Sequence, residues 1–152
     1  MTLPQGLLLV HLLVSTVWLG GGLSVAAVAL RAMRSGDPVR MHAVGAEVEW
    51  FGSRMLMPAA SLTLVTGVAL TWLTASFGDL WIVLSLGAFA VSLVLALVFL
   101  GPRPGVLARL AAEHGPTATP VQARIRRHFL YNRIEIAILL AVLAVMVLKP
   151  GR

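Results

Sequence analysis

The chain of 152 residues contains no cysteine and few charged residues. The absence of cysteine excludes a disulfide, a thiolate metal site, a thiol nucleophile and a haem attached through thioether bonds. Charged residues make up 12% of the chain, about half of the roughly 25% that is usual in soluble domains, whereas apolar residues make up 59%. So few charges cannot cover the surface of a soluble domain. The composition therefore predicts an integral membrane protein, built as a single domain over residues 1–152.

Long uncharged runs predict the positions of the membrane spans. No charged residue precedes Arg31, and two more uncharged runs flank Asp79. These runs of 30, 24 and 23 residues can each cross a hydrocarbon layer of ~30 Å as a helix. We predict spans near 5–29, 55–75, 80–101 and 129–148. The expected fold class is all-α, a transmembrane four-helix bundle with helical cytoplasmic extensions.

The basic residues are divided unequally between the connections. Ten of the twelve lie in residues 31–54 and 103–133, which share one side of the membrane if there are four spans. Because basic loops stay in the cytoplasm, both termini are expected to be external. The net charge of +6 is therefore attributed to topology and to anionic lipid headgroups in the bilayer, and no nucleic-acid partner is expected.

Several short sequences predict where helices begin and end outside the spans. Asp37 before a proline predicts a helix start, and residues 119–122 (TPVQ) form a capping box whose helix can run unbroken into the fourth span. Gly and Ser at 52–53 predict a hinge before the second span, and Pro58 predicts a kink or a helix start. The proline- and glycine-rich residues 101–105 are expected to end the third span.

His11 is the only histidine in a predicted span. An ionisable side chain in an apolar span is costly and marks a functional site by default. His11, Ser15, Trp18 and Gly22 lie on one helical face, which we expect to point into the bundle. Neutral imidazole is a common ligand for haem iron and other metals. The alternative is a structural histidine bonded to another helix. The glycines at 20–22 allow either close helix packing or room for a flat ligand.

Two hydroxyl residues are expected at the depth of His11. The second span runs outward and the third inward, which brings Thr66 and Ser85 to that level. Either hydroxyl can bond the free ring nitrogen and fix the imidazole tautomer. The alternative is that each hydroxyl bonds a carbonyl of its own helix.

A second polar cluster is expected at the cytoplasmic end of the fourth span. His128, Tyr131 and Glu135 lie on roughly one face, and Glu135 is the only acidic residue inside a predicted span. Its natural partner is Arg54, at the start of the second span, in a structural ion pair. The alternative is a carboxylate that handles protons or binds a substrate.

Parts of the sequence resemble known membrane families. Residues 11–21 (HLLVSTVWLGG) resemble CopD-type copper-resistance proteins, HemJ-type protoporphyrinogen oxidases and an uncharacterised bacterial four-span family related to them. Residues 49–54 (EWFGSR), followed by Pro58, Thr66 and Gly67, also resemble HemJ-type proteins. The resemblance covers roughly the first two thirds of the chain.

The resemblance implies a haem-b-binding redox membrane protein in the bacterial cytoplasmic (inner) membrane. By position, His11 corresponds to the histidine implicated in binding b-type haem, and it would be the axial iron ligand. The cofactor-binding residues expected around it are Ser15, Trp18, Gly22, Thr66 and Ser85. Ser85 stands where HemJ-type proteins have a functional lysine, which argues against porphyrinogen oxidation.

Two function classes follow. The first is a haem-dependent membrane oxidoreductase with a membrane electron-transfer partner or a quinone. The alternative is a non-enzymatic bundle, either a small-solute or ion carrier or an accessory subunit. In that alternative Glu135 or His11 handles protons.

Overall fold

A computed structural model of the chain describes residues 2–100 and 106–151. Within these ranges every regular element is helical. The elements are α1 (Leu3–Ser35), α2 (Pro38–Phe51), a π-helical turn (Gly52–Leu56), α3 (Met57–Thr74), α4 (Leu80–Leu95), a second π-helical turn (Ala96–Leu100), α5 (Val106–His114) and α6 (Thr119–Leu148).

Four helices of the described chain are long and apolar enough to cross a membrane. They are Leu3–Ser35, Pro38–Thr74, Leu80–Val98 and Thr119–Leu148. The predicted all-α class with four spans is therefore confirmed. Three of these helices, with 33, 37 and 30 residues, are longer than the roughly 20 residues that a bilayer requires. The predicted end of the third span at residues 101–105 lies outside the described residues.

The hinge predicted at residues 52–53 is instead a π-helical turn inside one continuous helix. Gly52 keeps right-handed helical dihedral angles, with φ −57° and ψ −48°. Pro58 gives the physical reason, since it has no N–H for the carbonyl four residues earlier and its ring crowds that carbonyl. A widened turn, in which the Met57 N–H donates to the Gly52 carbonyl, makes room for the ring without ending the helix.

The helix-start signals have different outcomes. Asp37 caps α2 as predicted, and its Oδ1 accepts a hydrogen bond of 2.9 Å from the Val39 N–H. The helix from Thr119 runs unbroken to Leu148, also as predicted. The capping box is not formed, because the N-cap is Ala118 and the Gln122 amide donates to backbone carbonyls of neighbouring segments. Gln122 thus ties the start of α6 to the start of α2.

The bundle has two distinct ends, which we name by their contents. The terminal end holds the start of α1, the 75–79 turn and the end of α6, where the Lys149 ammonium lies 5.3 Å from the centre of the Trp81 ring. The basic end holds α2 and α5 and nine described arginines. A buried apolar core links α1, α2, α5 and α6 there, with Phe129 and Ile125 almost fully enclosed.

The charge difference between the two ends supports a topology with external termini. We expect an externally active reporter fused after Arg152 to be active, because loops rich in basic residues as a rule stay in the cytoplasm. A fusion of the same reporter after Pro116, in the turn between α5 and α6, is the matched control and should be inactive. Activity of a cytoplasmic reporter after Arg152 would reverse the assignment.

The three consecutive glycines of α1 differ in their surroundings. A Cβ atom on Gly21 would lie 2.7 Å from Leu56 Cδ2 and 3.2 Å from Phe51 Cε1, and one on Gly22 would lie 2.7 Å from Ile136 Cδ1. A Cβ on Gly20 would meet nothing within 4 Å. Gly21 and Gly22 therefore serve close packing against the π-helical turn and α6, one of the two uses that the sequence left open.

Alanine substitutions at these glycines should separate packing from helix propensity. Gly21→Ala must displace two side chains, so we expect it to lower the free energy of unfolding by about 1–3 kcal/mol. Gly20→Ala should leave stability unchanged or raise it by about 0.5–1 kcal/mol, because alanine has the better helix propensity. Thermal unfolding in detergent measures both variants. Equal melting temperatures would show that α1 does not approach the turn this closely.

Candidate functional site

A small cavity lies between α1, α3, α4 and α6 near the terminal end. Its volume is about 110 Å³, enough for three or four water molecules at ~30 Å³ each. Polar side chains from three helices line it, namely His11, Ser15, Thr63, Thr71 and Ser85. Because the remaining lining is mainly apolar, these few groups determine what the cavity can bind. We call it the terminal-end cavity.

His11 is held in one orientation by α3. The side chain is only 8% exposed, and its Nδ1 lies 2.9 Å from Thr66 Oγ1. The Thr66 hydroxyl already donates its proton to the Leu62 carbonyl at 2.7 Å, so its oxygen accepts from Nδ1–H. This arrangement makes Nδ1 the protonated nitrogen and leaves Nε2 with a lone pair. No described residue donates to Nε2, which is therefore able to accept a proton or to bind a ligand.

Gly67 allows this close approach of α1 to α3. A Cβ atom at this position would lie 3.1 Å from His11 Cε1 and 3.6 Å from Nδ1. The imidazole edge that carries Nδ1 therefore faces the glycine. One turn along α1, Ser15 Oγ lies 3.4 Å from Thr63 Oγ1, which extends the polar contact between the two helices.

Removing the Thr66 hydroxyl tests how much the His11–Thr66 hydrogen bond contributes to stability. Thr66→Val keeps the side-chain shape but leaves His11 Nδ1–H without its acceptor, so we expect a loss of about 1–3 kcal/mol in the free energy of unfolding. Thr71→Val is the matched control, because Thr71 is buried in the same cavity and its hydroxyl bonds only the Gly67 carbonyl. Thermal unfolding in detergent compares the two. Similar melting temperatures would mean that the His11–Thr66 bond contributes nothing.

The structure brings most of the predicted cofactor residues together. Ser15, Trp18 and Ser85 line the terminal-end cavity with His11, and Thr66 bonds the imidazole. The Ser85 hydroxyl donates to the Trp81 carbonyl at 2.7 Å, so it takes the predicted alternative of a bond within its own helix. Gly22 does not join this group and lines a second cavity toward the basic end.

Two residues of the terminal-end cavity escaped the sequence analysis. Thr71 lines the cavity wall, and Thr63 contacts Ser15. Thr63 lies three residues before Thr66 and shares its helical face, which was the available signal for Thr63, whereas Thr71 lies five residues after Thr66 and had no such signal. Threonine in an apolar span more often bonds its own helix, so the spacing alone did not indicate a shared cavity.

The second cavity, which we call the basic-end cavity, is larger and more polar. Its volume is about 290 Å³, and helices α1, α2, α3, α4 and α6 contribute to its walls. Glu135 is buried in the wall, and its Oε1 accepts a hydrogen bond of 3.2 Å from the Ser92 hydroxyl. Asn132, Glu49 and His128 line the same space. The cavity therefore brings together four side chains that can exchange protons or hydrogen bonds.

The predicted ion pair between Arg54 and Glu135 is absent from the structure. Arg54 lies in the π-helical turn with its side chain exposed, whereas Glu135 points toward α4 and bonds Ser92. The widened turn changes the helical phase at this point, so Arg54 does not face α6. Ser92 as the partner of Glu135 was missed, although Ser85 and Ser92 share one face of α4 by their spacing of seven.

One aromatic pair separates the two cavities. Trp18 and Phe89 pack edge to face with ring centroids 5.3 Å apart, and both rings line both cavities. Leu139 is the third residue that the two linings share. The polar interior of the bundle is therefore interrupted by one thin apolar layer at this level.

The described residues contain no group of three or more histidine or acidic side chains positioned to hold a metal ion.

Comparison with known proteins gives one match. No curated protein and no solved structure matches the chain. Residues 5–150 match the model of a family described as "Predicted integral membrane protein (DUF2269)". That match covers nearly the whole chain and agrees with the four helices that are able to span a membrane. The chain therefore belongs to the DUF2269 family of integral membrane proteins.

Proposed function

We propose that this protein is a membrane carrier that moves a small polar solute or ion through the bundle and handles protons at Glu135 and His11. The observation that carries the proposal is the pair of cavities, one toward each end, which meet at Trp18 and Phe89. Alternating access needs a central region that can open to either side, with polar groups only where they line a cavity. The two cavities and the aromatic pair between them meet both requirements.

The ionisable groups lie where such a route requires them. His11 lines the terminal-end cavity with an unprotonated Nε2, and Glu135 lines the basic-end cavity. Ionisable residues inside spans are expensive and mark ion pathways and proton relays. Because one group lies on each side of the aromatic pair, a proton can be taken up at one end and released at the other when that pair rearranges.

The edge-to-face contact itself adds little to the barrier between the cavities. An edge-to-face aromatic pair contributes about 0.5–1.5 kcal/mol beyond its buried area. Phe89 is only half-buried, and a rotation of its ring would remove one side of the partition.

Proton movement into reconstituted vesicles tests the proposal directly. The full-length protein is placed in vesicles that contain a trapped pH-sensitive dye, and a potassium gradient with valinomycin sets the membrane potential. We expect acidification faster than in protein-free vesicles of the same lipid. A rate equal to that of protein-free vesicles, in preparations shown to contain folded protein, would remove the proton-handling role.

Haem b binding at His11 is the second candidate function, and one observation favours it. A metal-bound histidine usually donates its other ring N–H to an oxygen acceptor, as His11 Nδ1 does to Thr66. The space does not fit, however, because the terminal-end cavity measures about 110 Å³ and sites for drug-sized ligands measure roughly 300–1,000 Å³. A haem would require α1 to move away from its neighbours.

The visible spectrum of purified protein, expressed with ample haem, distinguishes the two candidates. A reducible Soret and α-band pair that is lost in His11→Ala would establish the haem protein implied by the HemJ-type resemblance, with its electron-transfer partner or quinone. His42→Ala and His114→Ala are the controls, since neither residue lines the terminal-end cavity. A colourless preparation with measurable proton movement would support the carrier.

A further inference from the structure

The basic-end cavity has an acidic lining, although it lies at the end of the bundle that is rich in arginine. Two of the six acidic residues of the chain, Glu49 and Glu135, line it. No lysine or arginine of the described chain belongs to the lining, although nine arginines lie at that end. An acidic interior within a basic surface selects for a positively charged occupant.

Two buried acceptor groups in this cavity have few or no donors among the described residues. Asn132 is 5% exposed, and its Oδ1 is buried without a hydrogen-bond partner in the described part of the chain. Glu135 accepts only from the Ser92 hydroxyl among the described residues. A buried acceptor without a partner is costly, so Asn132 and Glu135 together call for a ligand that brings N–H groups.

The remaining walls suit the apolar part of such a ligand. Trp18 and Phe89 present aromatic rings at the inner limit of the cavity, and Val25 and Ile136 contribute aliphatic surface. Aromatic faces attract cations as well as apolar groups. The volume of about 290 Å³ equals that of roughly ten water molecules, which limits the occupant to about ten non-hydrogen atoms.

We propose that the basic-end cavity binds a small organic cation that has at least two N–H donors and a compact apolar body, such as a primary amine. In this site the ammonium N–H groups bond Glu135, the Asn132 amide turns its buried oxygen toward them, and the apolar body lies against the aromatic pair. A bare metal ion suits the site less well, because the described residues offer no cluster of three metal ligands. The inference names the substrate class of the carrier and rests on that proposed function.

Calorimetric titration of the full chain in detergent with 2-phenylethylamine tests the site. We expect saturable binding that is at least about tenfold tighter than the binding of 2-phenylethanol, which has no charge, or of the N,N,N-trimethyl derivative, which has no N–H. Glu135→Gln and Asn132→Leu should each weaken amine binding by about tenfold or more. Glu47→Gln is the matched control, since Glu47 is an exposed acid of α2 outside the lining, and it should bind as the wild type does.

The Asn132→Leu variant shows whether a loss of amine binding is due to misfolding. Asn132→Leu removes an unpaired acceptor and keeps the side-chain volume, so the ligand-free variant should melt no lower than the wild type while it loses amine binding. Equal affinity for the amine and the alcohol, or unchanged amine binding in both cavity variants, would overturn the inference. Amine that binds but is not exchanged across vesicle membranes would sustain the site and remove the carrier function. Exchange of a neutral solute without amine binding would sustain the carrier function and remove the amine site.

Discussion

Replacing Glu135 with glutamine is expected to reduce proton movement in reconstituted vesicles to nearly the rate of protein-free vesicles. The carboxyl group is the one acidic side chain of the described chain that is buried within a spanning helix, where it faces a cavity and bonds Ser92. Glutamine keeps the shape and the hydrogen bond but cannot take up or release a proton. Positioned acid–base groups contribute roughly 10²–10⁴-fold to the rates of proton transfer, so the loss should exceed tenfold.

Two further variants make this result specific. Glu135→Asp retains a titratable carboxyl group and should keep part of the proton movement. Glu47→Gln removes an exposed carboxyl group of α2 and should leave the rate unchanged. If Glu135→Gln conducts protons as the wild type does, Glu135 has a purely structural role in binding α4 to α6.

Removing the Phe89 ring is expected to join the two cavities. Phe89→Ala takes away one half of the edge-to-face pair and leaves only Trp18 and Leu139 between the cavities. The absence of cysteine provides a clean readout, because a single cysteine at Ala60 would report only the basic-end cavity. Silver ion, a thiol-reactive probe small enough for the terminal-end cavity, should react with Ala60→Cys from the terminal end about tenfold faster when Phe89 is also alanine, since about 1.4 kcal/mol of pairing energy corresponds to a factor of ten.

The control for this experiment is a second aromatic pair that lies at the surface. Trp72 and Phe77 also pack edge to face, with centroids 6.3 Å apart, and both side chains are exposed. Phe77→Ala should therefore leave the labelling of Ala60→Cys unchanged. Phe89→Leu should give an intermediate rate because it keeps part of the bulk. Equal labelling rates in all three backgrounds would show that Phe89 does not separate the cavities.

Much of the His11 site could be predicted from the sequence. Depth in a membrane helix follows from counting residues at ~1.5 Å each, and the facing side follows from the helical period. These two rules placed Thr66 at the level of His11 and Ser15 and Trp18 on the same face, as the structure has them. They could not decide between Thr66 and Ser85 as the partner, because both hydroxyls have a carbonyl of their own helix available.

The sequence by itself determined that this is a membrane protein with four apolar helices and one basic end. Each of these features depends only on local composition and on the helical period along one chain. Only the tertiary structure decided that Glu135 bonds Ser92 rather than Arg54, that Asn132 Oδ1 has no hydrogen-bond partner among the described residues, and that one aromatic pair divides the interior. Those features depend on the rotation of each helix about its axis. Here the π-helical turn before Pro58 changes that rotation, and no count of residues along the helix anticipates it.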